Sequence, residues 1–103
     1  MTTKIFMNSI SKNKDKHKID SEFIGICKQI TKENLDLNEW GLIESCDQFQ
    51  TEKYCGGFDG TENEFTFSYF DGNGNEFWFQ LPLSAIEKVE KGIINEIEIR
   101  KVE

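Results

Sequence analysis

The stretch from Glu64 to Leu81 constrains the fold of this 103-residue chain more than any other. In Glu64-Phe65-Thr66-Phe67-Ser68-Tyr69-Phe70 and again in Glu76-Phe77-Trp78-Phe79-Gln80-Leu81, apolar residues recur at every second position, the spacing of a half-buried strand. Between them lies Asp71-Gly72-Asn73-Gly74-Asn75, whose glycines and asparagines tolerate the positive φ angles of a tight turn. A β-hairpin follows. Phe65, Phe67 and Tyr69 share one face of it, as do Phe77, Phe79 and Leu81, while Phe70 and Trp78 fall on the other. Gly56-Gly57 and Asp59-Gly60 mark an earlier turn or bulge, which makes residues 48–82 a three-stranded antiparallel meander.

Helical signals flank the meander. Phe23, Ile26, Cys27 and Ile30 stand at i, i+3, i+4 and i+7, one apolar stripe, with Asp20 or Ser21 able to cap its start, so a helix is expected over 21–32. Ser84 and Glu87 have the spacing of a capping box, which places a short second helix at 84–91, stopped by Gly92. Strands are expected at 3–8, at 40–47 and at the alternating segment 95–102. Residues 11–18 are polar and unpatterned and read as an exposed loop. The expected architecture is α+β: a single domain, residues 1–103, with an antiparallel sheet of about five strands packed against one or two helices. A chain of this size buries only about two-thirds of its unfolded surface, which leaves room for one core.

Several function classes are disfavoured. No apolar run approaches the roughly 18–20 residues that span a bilayer, and the N-terminus lacks a secretory h-region, so a cytoplasmic protein without membrane association is expected. Cys27, Cys46 and Cys55 are odd in number and lack C-x-x-C spacing, so they read as free thiols packed as small apolar groups. The one histidine, His17, lies in the polar loop and reads as solvated. Asp71 to Asn75 imitates the opening of a calcium loop, but the glycine required at the sixth position is Glu76 and the bidentate glutamate at the twelfth is Pro82. No G-K-[ST] follows Gly56, Gly57 and Gly60. Neither metal nor cofactor is expected, and no catalytic residues are assigned.

Charge is the remaining signal. The chain carries a formal net charge of −7, yet residues 33–76 hold eleven acids against a single base, Lys53. Residues 1–20 lean the other way, with Lys4, Lys12, Lys14, Lys16 and Lys18. A negative chain is repelled by phosphate backbones, so nucleic acid is not an expected partner. Concentrated acid creates a field that steers a basic protein into contact. Solubility alone is the competing explanation for the same acids.

The run F-x-F-x-Y-F-D-G-N-G-N-E-F-W-F at 65–79, followed by L-P-L-S-x-I at 81–86, in a small acidic chain rich in Lys, Ile, Asn and Phe, resembles the immunity proteins of bacterial polymorphic-toxin systems. Those of contact-dependent growth inhibition are the nearest example, and the likeness covers residues 49–92. It implies a cytoplasmic, non-enzymatic protein that binds one cognate toxin domain, often a basic nuclease, and blocks its active site or substrate cleft. In that reading Glu39, Glu44, Asp47, Glu52, Asp59, Glu62 and Glu64 are the ion-pairing candidates, and Trp40, Tyr54 and Trp78 the aromatic anchors. The alternative is a small ligand-binding or adaptor domain in which the aromatic hairpin lines a pocket.

Overall fold

The alternating aromatics become three neighbouring strands. A computed structural model of the chain describes residues 10–32, 49–59 and 64–103. In it β1 (Ile10–Lys18), α1 (Ser21–Lys32), β2 (Phe49–Gln50), β3 (Tyr54–Asp59), β4 (Glu64–Phe70), β5 (Glu76–Leu81), α2 (Leu83–Glu90) and β6 (Glu96–Val102) follow in chain order. The strands form one antiparallel sheet in the order β1-β6-β5-β4-β3-β2. The class is α+β, with six strands among the described residues. The expected strands at 3–8 and 40–47 lie outside the described residues.

The hairpin turn is built as its composition dictates. Gly72 and Gly74 have φ of 84° and 87°, angles that a Cβ disfavours. Asp71 Oδ1 accepts the N–H groups of Asn73 and Asn75, and Oδ2 accepts the Asn75 side-chain amide. The Asn75 amide above all, then the Asn73 N–H, holds the Asp71 carboxyl below the usual carboxylate range. Across the hairpin Phe67 faces Phe79 and Tyr69 faces Phe77, which keeps each aromatic set on one side.

That side is roofed by helices. Phe23, Ile26, Cys27 and Ile30 of α1 and Ile86 and Val89 of α2 are buried with Tyr54, Phe58, Phe65, Phe67, Phe79, Ile97 and Ile99 of the sheet. Phe23 joins the layers, its ring centroid lying 5.1 Å from Tyr54, 5.2 Å from Phe67 and 5.4 Å from Phe79. Phe70, on the opposite face, is 41% exposed. Burial pushes the Cys27 thiol up to about 12, with Glu90 acting the same way, so at neutral pH it packs as a protonated apolar group.

Two expectations are corrected. Residues 11–18 are not a loop: they form most of β1, which pairs with β6 through Lys14 opposite Arg100, Lys16 opposite Glu98 and Lys18 opposite Glu96. From Lys12 to Lys16 every side chain of β1 is exposed, so the strand owes its place to the backbone ladder and leaves no apolar alternation to read. The capping box does not form either. Helix α2 begins one residue early, with Pro82 as N-cap, and the Ala85 and Ile86 N–H groups donate to the Pro82 carbonyl at 3.0 and 3.1 Å. Ser84 therefore sits within the first turn, past the position from which a hydroxyl caps. Its far end does stop at Gly92, where φ is 77° and the Gly92 and Ile93 N–H groups donate to the Val89 and Lys88 carbonyls, the Schellman arrangement.

The β5–β6 ladder is confined to Phe77 opposite Lys101 and Trp78 opposite Arg100. In a flat sheet β1 would stand three strand spacings, about 14 Å, from β4, so the contact of His17 with β4 requires the β1–β6 ribbon to curl towards the meander on the Glu96–Ile99 side, past the end of its ladder with β5. His17, near the end of β1, thereby comes to lie against Tyr69 of β4, with ring centroids 4.2 Å apart.

Candidate functional site

The bend gathers a polar cluster where β1, the start of α1 and the β2–β3 turn meet. Asp20 caps α1 by accepting the Phe23 N–H on Oδ1 at 2.9 Å. Its Oδ2 accepts the Tyr54 hydroxyl at 3.0 Å and lies 3.6 Å from the Lys53 ammonium. Tyr54 has one hydroxyl proton and spends it on Asp20, so the 2.7 Å contact with His17 Nε2 is an N–H donated by the imidazole. Burial favours the neutral ring, and the contact then requires the Nε2–H tautomer.

A second carboxylate completes the cluster. Glu22 Oε2 accepts both the Thr51 hydroxyl and the Lys53 backbone N–H, and Thr51 Oγ1 in turn accepts the Tyr54 N–H at 3.1 Å. The first turn of α1 therefore clasps the β2–β3 turn. Burial, reinforced by Asp20, drives the Tyr54 phenol far above the ordinary tyrosine range, so it remains a hydroxyl at any physiological pH. Chemically the cluster can hold a proton and position a turn. Cys27 is not part of it, being buried a turn further along α1 than Phe23 and kept protonated.

Removing the clasp gives a direct test of its structural weight. Glu22→Ala is expected to lower the urea midpoint by the equivalent of about 1–2 kcal/mol, less than a buried charged hydrogen bond because Lys53 is exposed. An unchanged midpoint would show that the clasp contributes nothing.

The candidates named from sequence are dispersed. Glu39, Trp40, Glu44, Asp47 and Glu62 lie outside the described residues. Glu52 is exposed in the β2–β3 turn, beside Lys53. Asp59 ends β3 opposite Glu64, the first residue of β4, and the Asp59 side chain lies outside what is described. Glu52 and the Asp59–Glu64 pair thus occupy opposite ends of β3, about 15–20 Å apart at strand rise. Tyr54 and Trp78 require correction as surface anchors: they are 0% and 7% exposed, Tyr54 because its ring packs on Phe23 and its hydroxyl is consumed by Asp20. His17, read as solvated, is half-buried and belongs to the cluster.

Trp78 does not join the helix-covered core. It lies on the other face of the sheet, where it lines a cavity of about 360 Å³ with Lys14, Glu64, Phe79, Gln80, Glu98 and Arg100. Lys14 and Glu98 pair across this site at 3.7 Å. Two cations and two acids line it, so Glu64 faces a mixed surface and not an acidic one. Among the described residues no group of three metal-ligating side chains occurs, and no helix is long and apolar enough to cross a membrane. No protein-family description, no curated protein and no solved structure matches the chain.

Proposed function

We propose that this chain is an inhibitor of the immunity type, which binds a basic toxin domain, most simply a nuclease, through the acidic segment 33–76. The observation that carries the reading is the distribution of charge: eleven acids stand in that segment against Lys53 alone. Lys53 is itself matched by Asp20, an acid from outside the segment, at 3.6 Å. The one cation within the segment is thus engaged by an acid from outside it. A nuclease cleft is built for phosphates, and carboxylates can occupy it. With Tyr54 and Trp78 buried, the binding energy in this reading falls to Glu39, Glu44, Asp47, Glu52 and Glu62, with Trp40 as the aromatic anchor.

An immunity protein is encoded beside its toxin, so the product of the adjacent gene is the partner to purify. Its association rate with this chain is expected to fall about tenfold or more between low and high salt, and replacing Glu39, Glu44, Asp47 and Glu52 together by their amides should slow it comparably. A partner bound with unaltered affinity by the four-fold variant would sink the acidic-face mechanism. The Trp78-lined cavity favours the second reading, a small-ligand site on the helix-free face. That reading instead predicts that Trp78 fluorescence responds to a small molecule, and that the amide substitutions leave the response unchanged.

A further inference from the structure

The hydrogen-bonded chain from His17 through Tyr54 to Asp20 serves neither reading above, and it ties the β1–α1 junction to β3, which is 34 to 37 residues away in sequence. We propose that His17 is an acid-sensitive latch, closed while its imidazole is neutral and opening the β1–α1 junction when the ring gains a proton. The latch works in the isolated chain, whatever partner that chain binds.

The geometry suits a neutral ring. On one side His17 Nε2–H donates to the Tyr54 hydroxyl of β3, and its plane rests on Tyr69 of β4. Across the ladder from β6 it meets Ile97, flanked by Glu96 and Glu98, which pair with Lys18 and Lys16. The charged groups that face the ring are Asp20 from the junction and Lys53 from the β2–β3 turn. Asp20 already accepts from Tyr54 and from the Phe23 N–H and has the Lys53 ammonium beside it, so little of its charge remains for an imidazolium. Tyr54, fixed as a hydroxyl that donates to Asp20, accepts one hydrogen bond from the ring and can offer no compensating charge.

Burial therefore dominates. It holds the His17 pKa below its ordinary value, Asp20 pulling the other way and Lys53 reinforcing the shift. The unfolded chain takes up the proton near the ordinary histidine value of about 6.5, and the folded chain only at lower pH. Stability from the latch is thus present at neutral pH and is lost as pH falls below about 6.5 through the folded pKa. Loss is local first, because the latch tethers the segment holding two junction hydrogen bonds, Ile19 N–H to the Asn95 carbonyl at 2.9 Å and Phe23 N–H to Asp20.

Two measurements on the intact chain decide the matter. The imidazole titration of His17, followed by NMR, is expected to have its midpoint below about 6.5. Hydrogen-exchange protection factors at the Ile19 and Phe23 amides are expected to fall between about pH 7.5 and about pH 5.5, by at most the roughly tenfold that one histidine of ordinary unfolded pKa can supply there, with the amides of Phe67 and Phe79 unaffected. His17→Gln, whose amide can donate as Nε2 does but cannot titrate, should keep Ile19 and Phe23 protected at the lower pH. A midpoint at or above about 6.5, protection that does not change with acid, or an equal acid loss in His17→Gln would each overturn the proposal. Should the variant not fold, the wild-type midpoint and protection factors decide alone.

Discussion

Phe23→Ala is expected to remove a large part of the protein's stability, more than Glu22→Ala or Gly56→Ala does. The side chain is 0% exposed and is the aromatic that α1 contributes to the ring cluster of Tyr54, Phe67 and Phe79. Phe-to-Ala truncations at such sites cost about 3–5 kcal/mol, because the lost transfer energy is joined by the energy of a cavity that rigid neighbours do not fill. Its edge-to-face contacts with Phe67 and Phe79 place it towards the upper part of that range. Against a domain stability of about 5–15 kcal/mol, this is a large fraction. Urea unfolding followed by circular dichroism is the measurement, with Phe23→Leu as the milder control. A loss under about 1 kcal/mol for the alanine variant would mean that α1 does not anchor the sheet as described.

Gly56→Ala should also be damaging, for the opposite reason, too much matter and not too little. Gly56 stands opposite Phe67 in the β3–β4 ladder. A Cβ built there would overlap the Thr66 carbonyl oxygen and lie 2.7 Å from Phe67 Cδ1 and 2.8 Å from Phe67 Cα. Two of those three atoms are backbone, so rotating a side chain cannot relieve the clash. Strands β3 and β4 must separate locally, which breaks ladder hydrogen bonds and shifts a core ring. Overpacking of this kind costs about 1–3 kcal/mol and more where backbone must move. The expected readout is a midpoint lowered by that equivalent together with weakened exchange protection along β3. A variant as stable as the parent would show that β3 does not approach β4 as closely as described. Gly25 provides the contrast: a Cβ there meets nothing within 4 Å, so Gly25→Ala should be harmless to packing.

Segments with a strong local pattern are legible from residue spacing alone. The 65–81 hairpin, the stripe of α1 and the Gly92 stop of α2 each rest on interactions within a few residues of one another, and all stand where the spacing puts them. Asp20 capping α1 belongs with them, because the cap bond spans three residues. By contrast β1 carries exposed lysines on a strand stabilised by its partner, and nothing in Lys12 to Lys18 announces that β6 will pair with it. Ser84 and Glu87 have the right spacing for a capping box, but Pro82 takes the capping position, two residues before Ser84.

The site divides in the same way. Charge is additive along a sequence, so the excess of acid in 33–76 and its single opposing lysine follow from residue identity. Which of those acids share a surface is another matter: Glu52 and Glu64 lie at opposite ends of β3, and Glu64 faces Lys14 and Arg100 in a mixed cavity. Burial of Tyr54 and Trp78 likewise depends on neighbours distant in the chain, Phe23 and Asp20 in one case and the β5–β6 junction in the other.

By itself the amino-acid sequence determined the class of the domain, the position of its hairpin and first helix, and the placement of its charge, because each follows from residue type and short-range spacing. Only the tertiary structure decided that His17 leaves solvent to meet Tyr54 and Asp20. That meeting requires the β1–β6 ribbon to curl towards the meander, and the hydrogen bonds it makes possible span 34 and 37 residues. Local patterns carry no information about contacts formed over such separations.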